Sequence, residues 1–175
     1  MPAIKSLKRK KLSKTETKVG RFGGKLKANC RLEETWVWPD KITEKVKEFI
    51  EGYSLHICCG MSELGDVRMD LDPQRPGVKK ADMNELPFAD ETFDTVISDP
   101  PWKIGFFQRM NPFFETVRVC KTGGRIIYNC TWRPLSKYVE LEKAFIRTDN
   151  NWTNVSVIWI FRKTKTILLA QNLLL

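Results

Sequence analysis

The chain has 175 residues, 42% hydrophobic and 29% charged, with a formal net charge of +9 and a pI of about 9.4. That is the size and balance of one ordinary soluble domain with a single core. No apolar run approaches the ~18 residues of a membrane span, and MPAIKSLKRKK lacks the apolar stretch of a secretory signal, so a cytoplasmic protein without a membrane partner is expected.

Residues 1–27 form a basic arm. Lys5, Lys8, Arg9, Lys10, Lys11, Lys14, Lys18, Arg21, Lys25 and Lys27 stand against Glu16 alone, so the arm holds the whole excess of positive charge and the rest of the chain is neutral. The arm is poor in apolar residues and carries Gly20, Gly23 and Gly24, which predicts an extended or disordered segment when alone. Each Lys or Arg that neutralises a phosphate releases counterions, so such an arm suits a salt-sensitive, sequence-independent grip on nucleic acid. A solubilising tail is the alternative. Phe22 could add one stacking surface.

Residues 28–52 contain an amphipathic helix. Asp40 is its expected N-cap, Ile42, Val46, Phe49 and Ile50 fall at helical spacing, and Gly52 stops it. Residues 53–163 then alternate strands and helices. SLHIC is a short buried strand running into a turn at Gly60, and DVRMDLD is a second strand ended by Pro73. FDTVIS is a third and ends at DPPW. Asn111 is placed to cap a helix with Pro112 at its first position and Phe113, Val117 and Cys120 on one face, stopped by Gly123 and Gly124. GRIIYNC is the next strand. Pro134 opens a predicted helix with Leu135, Tyr138, Val139 and Leu141, and VSVIWIF is a strongly apolar last strand. This order predicts an α/β fold with a largely parallel sheet flanked by helices. Residues 164–175 form a tail whose ILLAQNLLL has no partner visible in the sequence.

The cysteines Cys30, Cys58, Cys59, Cys120 and Cys130 are odd in number and form no C-x-x-C pair. They suggest reduced thiols rather than a disulfide framework. His56 with Cys58 and Cys59 matches no common zinc spacing, so no metal is expected.

In open α/β sheets, ligands bind beyond the carboxyl ends of the strands. Here those positions are loaded: Cys59 and Gly60 follow the first strand, Asp70 and Asp72 end the second, Asp82 and Asn84 precede the third, and Asp99 ends it. Over residues 53–163 the chain resembles the class I S-adenosylmethionine-dependent methyltransferases, a single Rossmann-like domain. HICCGMSELG stands at that family's glycine-rich first motif, RMDLD at its ribose-binding acid, and KKADMNELPFADETFDTVISDPPW at its adenine-binding acid and catalytic motif. CKTGGRIIY looks like its helix-to-strand turn.

The resemblance implies S-adenosylmethionine as cofactor. Gly60 would let the backbone approach its methionine end, Asp70 would accept from the ribose hydroxyls with Asp72 as the alternative, and Asp82 would receive the adenine amino group beside Met83 and Asn84. His56, Cys58 and Cys59 complete the first motif, where the family usually has an acid and further glycines.

DPPW resembles the motif of methyltransferases that modify the exocyclic amine of cytosine or adenine. By that likeness Asp99 and the Pro100 carbonyl would accept the two N–H groups of the amine, Pro100 and Pro101 would fix the geometry, and Trp102 would stack on the base. An aryl amine has its lone pair delocalised into the ring, so orienting that pair is the main task. Trp36 and Trp38 could close over the site or pack on the sheet. Phe106, Phe107, Arg109, Trp132 and Arg133 follow on the same edge, whereas Phe113 and Phe114 are expected in the core.

Beside the small core there is little room for a DNA-recognition region, so a structured RNA is the expected partner, ribosomal RNA first, with N4 of cytidine ahead of N6 of adenosine. DNA remains an alternative partner. A small-molecule or protein methyltransferase and a non-catalytic RNA-binding assembly protein are the readings from other classes. Oligomeric state is not encoded in any of these features.

Overall fold

The computed structural model describes residues 37–101, 108–147 and 155–165. The chain divides into two units, Met1–Glu33 and Glu34–Leu175, and every described residue belongs to the second. The basic arm with Phe22, Cys30, Trp36, Trp102, Phe106, Phe107 and the ILLAQNLLL tail lie outside the described residues.

One seven-stranded sheet organises the second unit. Its strands are β1 (Ser54–Ile57), β2 (Val67–Asp70), β3 (Val78–Lys80), β4 (Phe93–Ser98), β5 (Cys120–Cys130), β6 (Val139–Arg147) and β7 (Ser156–Lys163), in the order β3-β2-β1-β4-β5-β7-β6. Strands β1 to β5 pair in parallel, and β7 runs antiparallel to both β5 and β6. The strand order reverses between β1 and β4, which makes their carboxyl ends the place where a crevice opens.

Each face of the sheet has its own core. On one face α2 (Met110–Val119) lays Phe113 and Val117 against Leu55, Ile57, Val96, Ile126 and Tyr128, with Phe113 edge-on to Tyr128 at 5.1 Å. On the other, Val46 of α1 (Asp40–Lys47) packs with Trp38 and Leu64 over Ile97, Ile127, Ile158 and Ile160. Strand β1 is buried along its whole length, as expected of a parallel strand covered on both sides.

The connection from β1 to β2 is unusually short. Residues 58–66 contain no helix, although parallel neighbours ordinarily need a crossover of about a dozen residues. Side chains hold it instead. Asp66 Oδ2 accepts from the Ser54 amide and hydroxyl at 2.8 and 2.7 Å, and Arg75 donates to Met61 O at 2.7 Å while pairing with Glu63.

The structure corrects several expectations. Residues 139–147 are strand β6, not part of a helix begun at Pro134. Leu, Glu, Lys and Ala favour a helix locally, but pairing along β7 outweighs that preference, and the exposed charges suit an edge strand. Strand β3 was not expected at all. Asp40 is the first helical residue rather than the cap, and α1 ends at Lys47, before Gly52. Likewise α2 begins at Met110, placing Asn111 and Pro112 inside its first turn, where the missing N–H of proline costs nothing. It ends at Val119, and Cys120 already pairs with Phe93. Gly124 lies inside β5, where a Cβ would come within 2.7 Å of the Asp94 carbonyl. Phe114 is 42% exposed rather than core.

Candidate functional site

The carboxyl ends of β1 and β4 come together through their register. Ile57 pairs with Ser98, so Cys58 and Asp99 leave the sheet side by side, and the Asp99 amide donates to Ile57 O at 3.2 Å. After Ile57 the chain turns through Cys58 at φ 54° and Gly60 at φ 51°, both left-handed. This turn is fixed to β2: the Cys59 amide donates to Met69 O and the Gly60 amide to Asp70 Oδ2, each at 3.0 Å. Asp72 donates its amide to the other Asp70 oxygen at 3.1 Å. Asp70 is thereby held rigid at the strand end, part-exposed, by two main-chain donors.

Asp72 is exposed and bonded to Gln74. Asp82, also exposed, closes a tight turn in which Asn84 donates both its amide and its side-chain N–H to Oδ1 at 2.8 Å. The following loop is anchored to α2 by Arg118, which donates to the Leu86 and Phe88 carbonyls at 3.0 and 2.8 Å and pairs with Glu115 and Asp90. Those carboxylates hold the guanidinium charged. Met83 packs back on the core and places its sulfur 3.6 Å from Cys58 Sγ.

Asp99 is the best-supported side chain of the site. Its Oδ2 accepts from Trp38 Nε1 at 2.6 Å and its Oδ1 from Asn129 Nδ2 at 2.8 Å. Burial raises its carboxyl above the ordinary range, while the two donors and the charge of Arg147 pull it down. Pro100 is buried beside it and Pro101 exposed. Sequence patterning left open whether Trp38 packs on the sheet; it does so, and bonds to Asp99 as well. Asn129 was missed. The available signal was a lone amide within the buried strand run Ile126, Ile127, Tyr128 and Cys130.

At the end of β5, the Arg109 guanidinium lies 4.5 Å over the Trp132 ring, and Cys130 Sγ donates to Trp132 O. Arg133 is exposed on the same edge.

His56 is not on the ligand edge. Its side chain faces α1, is 1% exposed and lies 5.6 Å from the Trp38 ring, whereas Cys58 packs on the opposite face. Among the described residues neither ring nitrogen makes a well-formed hydrogen bond; the nearby Leu64 backbone favours the protonated ring, but burial outweighs it and lowers the imidazole to about 4. Burial also raises the thiols of Cys58, Cys59 and Cys130, the last two to about 11 and about 12, so none is a ready nucleophile. Among the described residues no three His, Cys, Asp or Glu side chains group to hold a metal ion, and no helix is long and apolar enough to cross a membrane.

Solved structures share this fold. The chain superposes on the N-methyltransferase NodS from Bradyrhizobium japonicum in complex with S-adenosyl-L-homocysteine with a TM-score of 0.54 and 11% identity, covering 78% of this chain and 92% of NodS. A TehB-like SAM-dependent methyltransferase from Corynebacterium glutamicum gives 0.51 and 17%, covering 69% and 85%. The chain has the fold of the class I methyltransferases. The [4+2]-cyclase SpnF shares it too, at 0.54 and 11% over 71% and 80%, so the fold does not by itself fix the reaction. No family model and no curated protein matches the sequence.

Proposed function

We propose that this protein is an S-adenosylmethionine-dependent methyltransferase acting on the exocyclic amine of a base in structured RNA, ribosomal RNA first, with N4 of cytidine ahead of N6 of adenosine. The observation that carries the reading is Asp99, followed by Pro100 and Pro101, held by two N–H donors at the carboxyl end of β4 where the strand order reverses. A half-buried carboxylate fixed in that way is an acceptor for an amine.

The residues fit the cofactor. Asp70 and Asp82 stand at the ends of β2 and β3 as acceptors for hydroxyl and amino groups, next to a left-handed turn at Gly60 whose backbone a ligand can approach. When bound, S-adenosylmethionine supplies a methyl group on a good sulfur leaving group. Asp99 and the Pro100 carbonyl take the two N–H bonds of the target amine and turn its lone pair outward, which replaces the need for a strong general base. After transfer the amine is acidic enough to lose its proton to Asp99 or to water. By the sequence resemblance Trp102 would stack on the base, and Trp132 with Arg109 over its ring is a further aromatic at the end of β5.

The basic arm supports a polyanionic substrate over a small one, because its ten cations sit on one short segment. DNA is the alternative polymer. NodS, which shares the fold, is named an N-methyltransferase, so an amine on a small molecule is kept as the second reading.

The test is incubation with isotopically labelled S-adenosylmethionine and unmodified ribosomal RNA, transfer RNA or DNA, followed by nucleoside mass spectrometry. Label in N4-methylcytidine or N6-methyladenosine from RNA is the expected result. Label in none of the pools, with cofactor binding verified by calorimetry, would overturn the nucleic-acid reading.

A further inference from the structure

We infer that Asn129, together with Trp38, is a positioning residue that clamps the Asp99 carboxylate, one N–H on each oxygen, so that it remains an acceptor aimed at the sheet edge. The inference rests on the proposed reaction for its activity readout only.

Asn129 is fully buried on β5, in register with Ile158 and on the same face as Ile127 and Ile160. An aliphatic side chain would pack better there. Among the described residues the amide Oδ1 has no partner, an unfavourable state that an aliphatic side chain would avoid. Its one side-chain bond goes from Nδ2 to Asp99 Oδ1 at 2.8 Å. Trp38, the second donor, is set in the core with Val46, Leu64 and Ile97, so its N–H cannot easily swing away. A carboxylate offers about four acceptor positions over its two oxygens. The clamp uses one on each oxygen and leaves the others for a substrate N–H.

The clamp also sets the charge of Asp99. Facing it are Arg147 from the end of β6, Trp38 with the neutral His56 behind it, and across the sheet Cys58, Tyr128 and Cys130, whose thiols and phenol burial keeps neutral. The two donors and Arg147 are therefore what favours the ionised form against burial. Removing either donor shifts the balance toward the protonated form, which donates where the ionised form accepts.

The test uses the full chain and the variants Asn129→Leu, Trp38→Phe and the donor-retaining Asn129→Ser. The Asp99 carboxyl is titrated by carbon-13 NMR, assigned by its loss in Asp99→Asn, with no substrate present. The midpoint should rise by about one pH unit in Asn129→Leu and in Trp38→Phe, and stay nearer the wild type in Asn129→Ser. The acid limb of the pH profile of methyl transfer should move up by the same amount as the midpoint, so that the loss of rate is about tenfold on that limb and vanishes at higher pH, with S-adenosylmethionine affinity within about twofold. An unmoved midpoint in both donor-lacking variants would overturn the clamp, as would an activity loss equal at every pH. A moved midpoint in a protein that methylates nothing would support the clamp and remove the proposed reaction. If Asn129→Leu fails to fold, Trp38→Phe carries the measurement.

Discussion

Cys58 and Met83 meet sulfur to sulfur at 3.6 Å, joining the turn after β1 to the turn after β3. Cys58 does so at φ 54°, a left-handed conformation that costs a residue with a Cβ roughly 1–2 kcal/mol. In the family that the sequence resembles, a glycine ordinarily occupies such a turn, and its missing side chain leaves room for the cofactor. Here the backbone keeps the glycine-like shape, and the thiol packs on the core against Met83, next to Asp82 in the chain.

Cys58→Gly should therefore tighten binding of S-adenosylhomocysteine severalfold. Strain relief is offset by the greater freedom of glycine in the unfolded chain, so stability should stay within about 1 kcal/mol of the wild type. Calorimetric titration and urea unfolding of the two proteins check both parts. Weaker binding would mean that the Cys58–Met83 contact supports the site rather than narrowing it.

Replacing Asp99 separates chemistry from cofactor binding. Asp99→Ala should lower methyl transfer by roughly 10²–10³-fold, because the amine loses its oriented acceptor, while S-adenosylmethionine affinity changes little. It also strands the Trp38 and Asn129 donors, so unfolding should become easier by about 1–3 kcal/mol. Single-turnover rates, cofactor titration and a denaturation curve are the measurements.

Trp132 packs against the core at the end of β5 with Arg109 4.5 Å over its ring, and the proposed function makes it a candidate stacking surface for a base. Trp132→Ala should raise KM for RNA by an amount equivalent to about 1–3 kcal/mol and Trp132→Phe by much less, since stacking needs a π-face rather than the indole N–H. Equal effects in the two variants would assign the ring to packing alone.

Much of this was legible because turn residues and apolar runs mark the parallel strands clearly. FDTVIS coincides with β4, and SLHI with β1. Asp70 and Asp82 could be placed on the edge because each follows an apolar strand or precedes one. What was not legible depends on partners distant in sequence. The segment VELEKAFIR reads as a helix until β7 lies beside it. The bond from Trp38 to Asp99 spans 61 positions, and no local pattern announces it. His56 sits in the motif by sequence, but strand alternation turns its side chain away from Leu55 and Ile57 into the other core.

That buried imidazole gives a pH dependence of definite sign. His56 takes a proton near 6.5 when unfolded and only at about 4 when folded. Between these values the unfolded chain binds more protons, so the contribution is complete above pH 6.5 and is lost as pH falls toward 4, roughly 3 kcal/mol in all. His56→Leu should flatten the stability curve across that window. Urea unfolding at several pH values compares the two, and an unchanged slope in the variant would assign the effect to another group.

The arm makes the final separable contribution. Ten cations on residues 1–27 stand against one acid, while the rest of the chain is neutral, so the arm should carry nearly all of the salt dependence of RNA binding. Each phosphate contact that releases its counterion adds about 0.7 to the slope of log affinity against log salt for single strands and about 0.9 for duplexes. Deleting residues 1–27 should weaken binding at low salt by orders of magnitude, flatten that slope by several, and leave S-adenosylmethionine affinity unchanged. On a small-molecule amine the same deletion should leave the rate unchanged. Measuring the slope for full-length and shortened chains on one RNA therefore distinguishes a polyanion-binding arm from a solubilising tail, because a tail would alter neither slope nor affinity.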